Sequence, residues 1–218
     1  QVGFFSERRG GVFCICAVTG PDEYTALVDN NYYTNRMAQE HLRFAVAVMR
    51  ELAAESPQVH AALARKLALD ASEIDAWSRA ADAMYLPYDE RLGIVAQDDT
   101  FLDKPLWDIK GTPPEQFPLL MHNHPLNLYR YQVCKQADAL LAFVLADATQ
   151  VDWAVRRRSF DYYEAITVHD STLSPSTFAV LAADIGDLDK AQAYFHENLR
   201  IDLDDLHGNT SHGAHMAA

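Results

Sequence analysis

Apolar positions recur at helical spacing in two long blocks of the chain, with a less regular stretch between them. Over residues 34–54, Met37, Leu42, Ala45, Val46, Met49 and Leu52 fall on one face of a helix. Thr34 or Asn35 is placed to cap it. Pro57 opens a second helix over 57–68. Ser72 precedes a third, which carries Ile74, Trp77, Ala80, Ala81 and Met84. Helical spacing returns at 135–148, 151–164, 175–185 and 187–199, with Asp187 as the cap of the last. Residues 12–18, bounded by Gly10-Gly11 and Gly20-Pro21, read as a short strand. Between the helical blocks, 85–120 reads as two short strands joined by a turn at Asp89–Gly93, then a Pro-rich connector at 113–118. So long an irregular stretch is unusual unless it is functional.

The pattern predicts an all-α chain of seven or so helices, mostly antiparallel pairs on short loops, with minor β-hairpins. There is no β-α-β alternation and no internal repeat. Paired helices of this kind fit a toroid, whose inner helices lead into loops around one pocket. Chemistry is then expected in the interruptions at 19–34, 85–120, 122–136, 167–175 and 205–216.

Composition narrows the function without naming it. The chain has 218 residues, 49% hydrophobic and 22% charged, which suits one globular domain. A net charge of −13 argues against nucleic acid as a partner, because a phosphate backbone needs clustered Lys and Arg. It leaves room for a small anion in a locally positive pocket. Cys14 and Cys16 would share one face of a strand and Cys134 lies far away, so no zinc spacing arises. An odd count without a disulfide pattern fits a reducing compartment, hence a cytoplasmic location. No apolar run is long enough for a membrane span, and the start Gln1–Arg9 is not a signal peptide. A chain that begins with Gln1 rather than Met reads as a fragment.

Four constellations carry candidate chemistry. Asp22-Glu23 follows Pro21 on a stiff turn, and adjacent loop residues point in different directions, so one of the two is expected to face a pocket. A general acid at neutral pH needs a pKa lifted towards roughly 6, by burial or by a neighbouring carboxylate. Pro-Asp-Glu equally suits an ordinary turn. In Val168–Pro175, hydroxyls and backbone N–H groups ahead of a helix form an anion site, with Ser171 and Thr172 as ligands and His169 close by. The same residues serve as a helix start, with Ser174 as N-cap and Pro175 at the first helical position. His207, His212 and His215 stand in a Gly-containing loop without the i, i+4 pairing or the added carboxylate of a metal site, so a small-ligand pocket is expected and no metal. His122-x-His124 has metal-like spacing, but nothing completes it. Lys135-Gln136, followed by Asp138, can hydrogen-bond sugar hydroxyls or form a solvated first turn. The aromatics Tyr85, Tyr88, Phe101 and Trp107 can stack on a sugar, although such residues more often belong to a core.

Taken in order, these segments resemble the catalytic domain of glycoside hydrolase family 65, which includes the maltose, trehalose, kojibiose and nigerose phosphorylases. The resemblance rests on Val18–Tyr24 with Asn30–Ala38, Leu86–Glu90, Phe101-Leu-Asp, Lys135–Asp138, Phe160–Glu164, Thr167–Ser171 with Leu173–Pro175, Ala183–Lys190 and Asp202–Thr210. It implies that residues 1–218 are the second half of an (α/α)6 barrel, without the N-terminal β-sandwich, the first half of the barrel or the C-terminal β domain. It implies Glu23 as general acid, Lys135 and Gln136 as ligands of the glucosyl unit, and Ser171, Thr172, His207 and His215 as phosphate ligands. Thr172 stands where the family pattern has a second Ser, and His212 where it usually has an acidic residue.

The implied reaction is inverting phosphorolysis. An inverting hydrolase needs an acid and a base carboxylate. Phosphate is already an anionic nucleophile and needs only placement opposite the leaving group. An α-glucoside would give β-glucose 1-phosphate and a free sugar, with inorganic phosphate as co-substrate and no other cofactor. The expected partners are the disaccharide and phosphate, with no membrane, and the full-length protein is expected to be a homodimer. The isolated chain is expected to be inactive. A trehalase-like hydrolase of the same family, a helical interaction domain and a metal-binding protein are the alternatives.

Overall fold

Two helical blocks flank the irregular middle of the chain in a computed structural model that describes residues 3–146 and 150–216. A hairpin of β1 (Phe4–Ser6) and β2 (Val12–Cys14) comes first, with Phe5 opposite Phe13. The strand expected over 12–18 stops at Cys14. Ala17 takes a left-handed φ of 56°, and Asp29 accepts from its N–H at 2.9 Å, so the chain turns before a longer strand can form.

The first block holds α1 (Tyr32–Glu55), α2 (Pro57–Leu67) and α3 (Ala71–Asp82), with α1 packed along α3. Two caps differ from expectation. Asn31, not Thr34 or Asn35, caps α1 by accepting from the Thr34 N–H at 2.9 Å. Asp70 caps α3 in a reciprocal box with Glu73, and Ser72 lies inside the first turn. Pro57 opens α2 as expected.

In the middle, β3 (Tyr88–Asp89) and β4 (Ile94–Val95) pair as the expected hairpin. The connector contains two single-turn helices that apolar spacing did not signal, α4 (Leu119–His122) and α5 (Pro125–Leu128). Four residues are too few to show a period.

The second block holds α6 (Asp138–Leu145), α7 (Trp153–Glu164), α8 (Ser174–Asp184) and α9 (Leu188–Arg200). The helix expected over 135–148 is shorter: it begins at Asp138, because Lys135 and Gln136 belong to a loop, and 147–148 lie outside the described residues. Asp187 caps α9 as expected, accepting from the Lys190 N–H at 3.2 Å. Leu173 rather than Ser174 flanks α8, with Ser174 already helical.

The core follows from these contacts. Leu140 and Phe143 of α6, Phe160 and Tyr163 of α7, and Phe178 and Leu181 of α8 are buried together with Phe101. Each such side chain contributes about 1.5–3 kcal/mol by leaving water. A second cluster joins Phe13 and Ile15 to Met84. A third gathers Tyr24, Leu119, Leu128 and Val133 beneath the loops. Helix α7 also grips the middle segment: the Tyr163 hydroxyl donates to Val95 O at 2.9 Å and the Val95 N–H donates to Ser159 Oγ at 3.3 Å. Helices packed on one another, with α8 against α9, form a mostly helical fold with minor β, as the spacing predicted. No helix among the described residues is long and apolar enough to cross a membrane.

Candidate active site

The Asp22-Glu23 turn is a closed loop. Val18 and Val28 exchange both backbone hydrogen bonds, at 3.0 and 2.9 Å, and so pinch residues 19–27 at their base. Gly20 is required here by close approach: a Cβ on it would fall 2.1 Å from Asp138 Oδ2 and 2.8 Å from the Asn31 side chain.

The two acids on the turn are separated by environment, as their adjacency suggested. Asp22 is fully buried. Its Oδ2 accepts from Gln97 Nε2 at 2.9 Å, and its Oδ1 accepts from the backbone N–H of Lys135 at 2.9 Å and of Tyr24 at 3.3 Å. Burial pushes its carboxyl up to about 6, against the pull of those donors. Glu23 faces outward, with its side chain 59% exposed, and forms an ion pair with Lys135 Nζ.

Lys135 and Gln136 sit directly against this turn. Gln136 Nε2 donates to Pro21 O at 2.9 Å, and its Oε1 accepts from Ser171 Oγ. Glu23, Lys135, Gln136 and Ser171 are therefore linked by consecutive contacts, although they come from three distant parts of the chain. Thr172 is partly exposed in the same turn, next to Ser171.

His169 builds the turn. It takes a left-handed φ of 56°, a region in which His is enriched among non-glycine residues. Its Nδ1 lies 2.9 Å from Ser174 Oγ, and its ring packs against Phe178 with centroids 4.7 Å apart. Burial lowers its pKa to about 4, so the ring is neutral at pH 7. Asp170, next to it, accepts from the Tyr24 hydroxyl and from the Leu119 N–H at 2.8 Å. The Ser171 loop is thus fastened to the residue that follows Glu23.

The other two expected phosphate ligands, His207 and His215, make their own local contacts in the C-terminal loop. Asp202 holds His215 by both its backbone N–H, at 2.7 Å, and its Nδ1, at 2.5 Å. These contacts keep the Asp202 carboxyl below its usual range. The Nε2 of His207 is buried without a hydrogen-bond partner. Among the described residues, no hydrogen bond joins either histidine to Ser171 or Thr172. The other candidates also find their places. Phe101 is fully buried in the core, Trp107 packs edge-on against Tyr131 with centroids 5.1 Å apart, and Tyr85 lies under Arg9. Among the described residues, no group of three or more His, Cys, Asp or Glu could hold a metal ion.

A buried polar layer behind the turn escaped sequence reading. Asn31 Nδ2 donates to Asp138 Oδ2 at 3.0 Å and to Gln97 O at 3.2 Å, and the Cys134 thiol donates to Gln97 Oε1 at 3.2 Å. Burial, with the Asp22 carboxyl close by, pushes Asp138 well above its usual value. Asn31 and Asp138 lie within distinctive motifs, which was a usable signal. Gln97 stands in Val95-Ala-Gln97 with none.

The mostly helical fold agrees with comparisons to known proteins. The model of the glycosyl hydrolase family 65 central catalytic domain matches residues 4–218, and the chain belongs to that family. It is 56% identical to the alpha,alpha-trehalose phosphorylase of Geobacillus stearothermophilus over 207 residues, which is 95% of this chain and 27% of that protein. It is 48% identical to the alpha,alpha-trehalose phosphorylase of Thermoanaerobacter brockii over 218 residues, or 100% of this chain and 28% of that protein. A solved structure from the human microbiome, of a candidate kojibiose phosphorylase, superposes with a TM-score of 0.86 at 29% identity, covering 100% of this chain and 28% of that one. The chain thus spans little more than a quarter of the relatives it matches.

Proposed function

We propose that the full protein is an inverting disaccharide phosphorylase. It cleaves an α-glucosidic bond with inorganic phosphate and releases β-glucose 1-phosphate and a free sugar. The observation that carries this reading is the contact series Glu23–Lys135–Gln136–Ser171, which sets one outward-facing carboxylate beside a hydroxyl-bearing loop.

In this reading Glu23 protonates the glycosidic oxygen, and Lys135 and Gln136 border the glucosyl unit. Ser171 and Thr172 receive the phosphate, with His207 and His215 closing on it from the C-terminal loop. The other carboxylates of these segments are committed elsewhere: Asp22 is buried among its three donors, and Asp170 is bonded to Tyr24 and Leu119. A hydrolase would need one of them as a base for water. Phosphate attacks without a base, so one acid and one anion loop suffice. Inorganic phosphate is the co-substrate and no other cofactor is needed.

The test is product analysis on the full-length protein. Trehalose, maltose and kojibiose are each incubated with and without phosphate, and the anomeric configuration of any sugar phosphate is read by NMR. Phosphate-dependent release of the β-anomer is expected. Equal turnover without phosphate, giving free glucose alone, would mean a hydrolase.

A further inference from the structure

We infer that Gln136 is a positioning residue that locks the Ser171 loop to the turn carrying Glu23, so that the anion site and the acid are held as one unit. The inference rests on the phosphorolytic reading above.

The hydrogen-bond inventory fixes the orientation of the amide. Pro21 O can only accept, so the group that faces it at 2.9 Å must be the Gln136 NH2. The carbonyl end then faces Ser171, and the Ser171 hydroxyl must be the donor. Ser171 Oγ in turn accepts from the Leu173 N–H at 3.3 Å, and Ser171 O accepts from the Ser174 N–H at 3.0 Å. One amide therefore joins the residue just before Asp22-Glu23 to the turn that starts α8. Pro21 contributes a stiff backbone at one end, and the partly buried ring of His169 braces the other end through Ser174. A side chain spanning two rigid loops fixes their separation, and catalysis is sensitive to shifts of that kind.

A residue that only touched sugar would act independently of Ser171. A residue that works through Ser171 would not, and a double-mutant cycle separates the two. In the full-length protein, Gln136→Leu keeps the side chain's bulk and removes both bonds. Gln136→Glu keeps the acceptor for Ser171 and loses the donor to Pro21 O. Gln136 is only partly buried, so these variants are expected to fold.

For Gln136→Leu the KM for phosphate is expected to rise at least about fivefold, and for Gln136→Glu at least as much, because its carboxylate faces Pro21 O and adds negative charge beside the anion site. Ser171→Ala is expected to show a comparable rise, and the Gln136→Leu/Ser171→Ala double variant to stay within about twofold of the larger single effect. Multiplicative effects in the double variant, or a change confined to the KM for disaccharide, would overturn the inference. Phosphate-independent turnover by the unsubstituted protein would instead overturn the phosphorolytic reading, and it shows before any variant is made.

Discussion

Lys135 contacts both acids of the turn at once: its ammonium pairs with Glu23, and its backbone N–H donates to Asp22 Oδ1 at 2.9 Å. One residue thereby ties the exposed carboxylate to the buried one. The buried acid sets the backbone from which the lysine reaches the exposed acid. This relationship makes the catalytic assignment testable with a few substitutions in the full-length protein.

Replacing Glu23 by Gln removes the proposed proton donor and keeps the shape. General acid catalysis is worth about 10²–10⁴ in rate, so kcat on an unactivated disaccharide should fall about 100-fold or more. With α-glucosyl fluoride and phosphate, the leaving group needs little protonation, and the loss should be about tenfold or less. Comparable losses on the two donors would point away from Glu23 as the acid.

Asp22 gives a pH signature. Its folded value of about 6 lies above the ordinary 3.8 because it is buried. Between those values the folded chain keeps a proton that the unfolded chain has released. Stability therefore falls as pH rises through this window, by at most about 1.4 kcal/mol per pH unit from this group. Asp138, raised by burial and by Asp22, acts in the same sense. Asp22→Asn should flatten the slope between pH 4 and 6, as read from denaturant unfolding of both proteins. An unchanged slope would contradict the buried, proton-retaining Asp22.

Gly20→Ala tests the close packing of the turn. The added Cβ meets Asp138 and Asn31, both fully buried and tied to each other at 3.0 Å, so neither can move aside cheaply. Overpacking of this kind costs about 1–3 kcal/mol. A lower unfolding midpoint is expected, together with reduced kcat, since the loop carries Glu23.

The C-terminal loop gives the last prediction. With Nδ1 bonded to Asp202, His215 has Nε2 left to offer a ligand. His215→Ala should raise the KM for phosphate about tenfold, the loss of roughly one charge-assisted bond. Asp202→Ala should act in the same direction more weakly, because it frees the ring without removing it. Measuring phosphate and disaccharide KM side by side checks both.

Much of the architecture was written in local spacing. The 3.6-residue period of Met37 to Leu52, the helix start at Pro57 and the cap at Asp187 depend on neighbours within a turn or two, and the structure keeps them. The motifs that placed Glu23, Lys135, Gln136 and Ser171 were likewise legible as residue types in order. The caps of α1 and α3 were displaced because Asn31 and Asp70 lay just ahead of the apolar pattern used to find those helices.

What only the tertiary structure decided was which acid faces out and what holds it. Gln97, 75 residues from Asp22, and Lys135, 113 residues away, turn Asp22 inward and leave Glu23 free to meet the ammonium. Asp170 reaches Tyr24 across 146 residues. A helix is stabilised by bonds between near neighbours, so periodicity records it. A carboxylate's burial and donors come from whatever segments pack around it, and no local pattern along the chain encodes those.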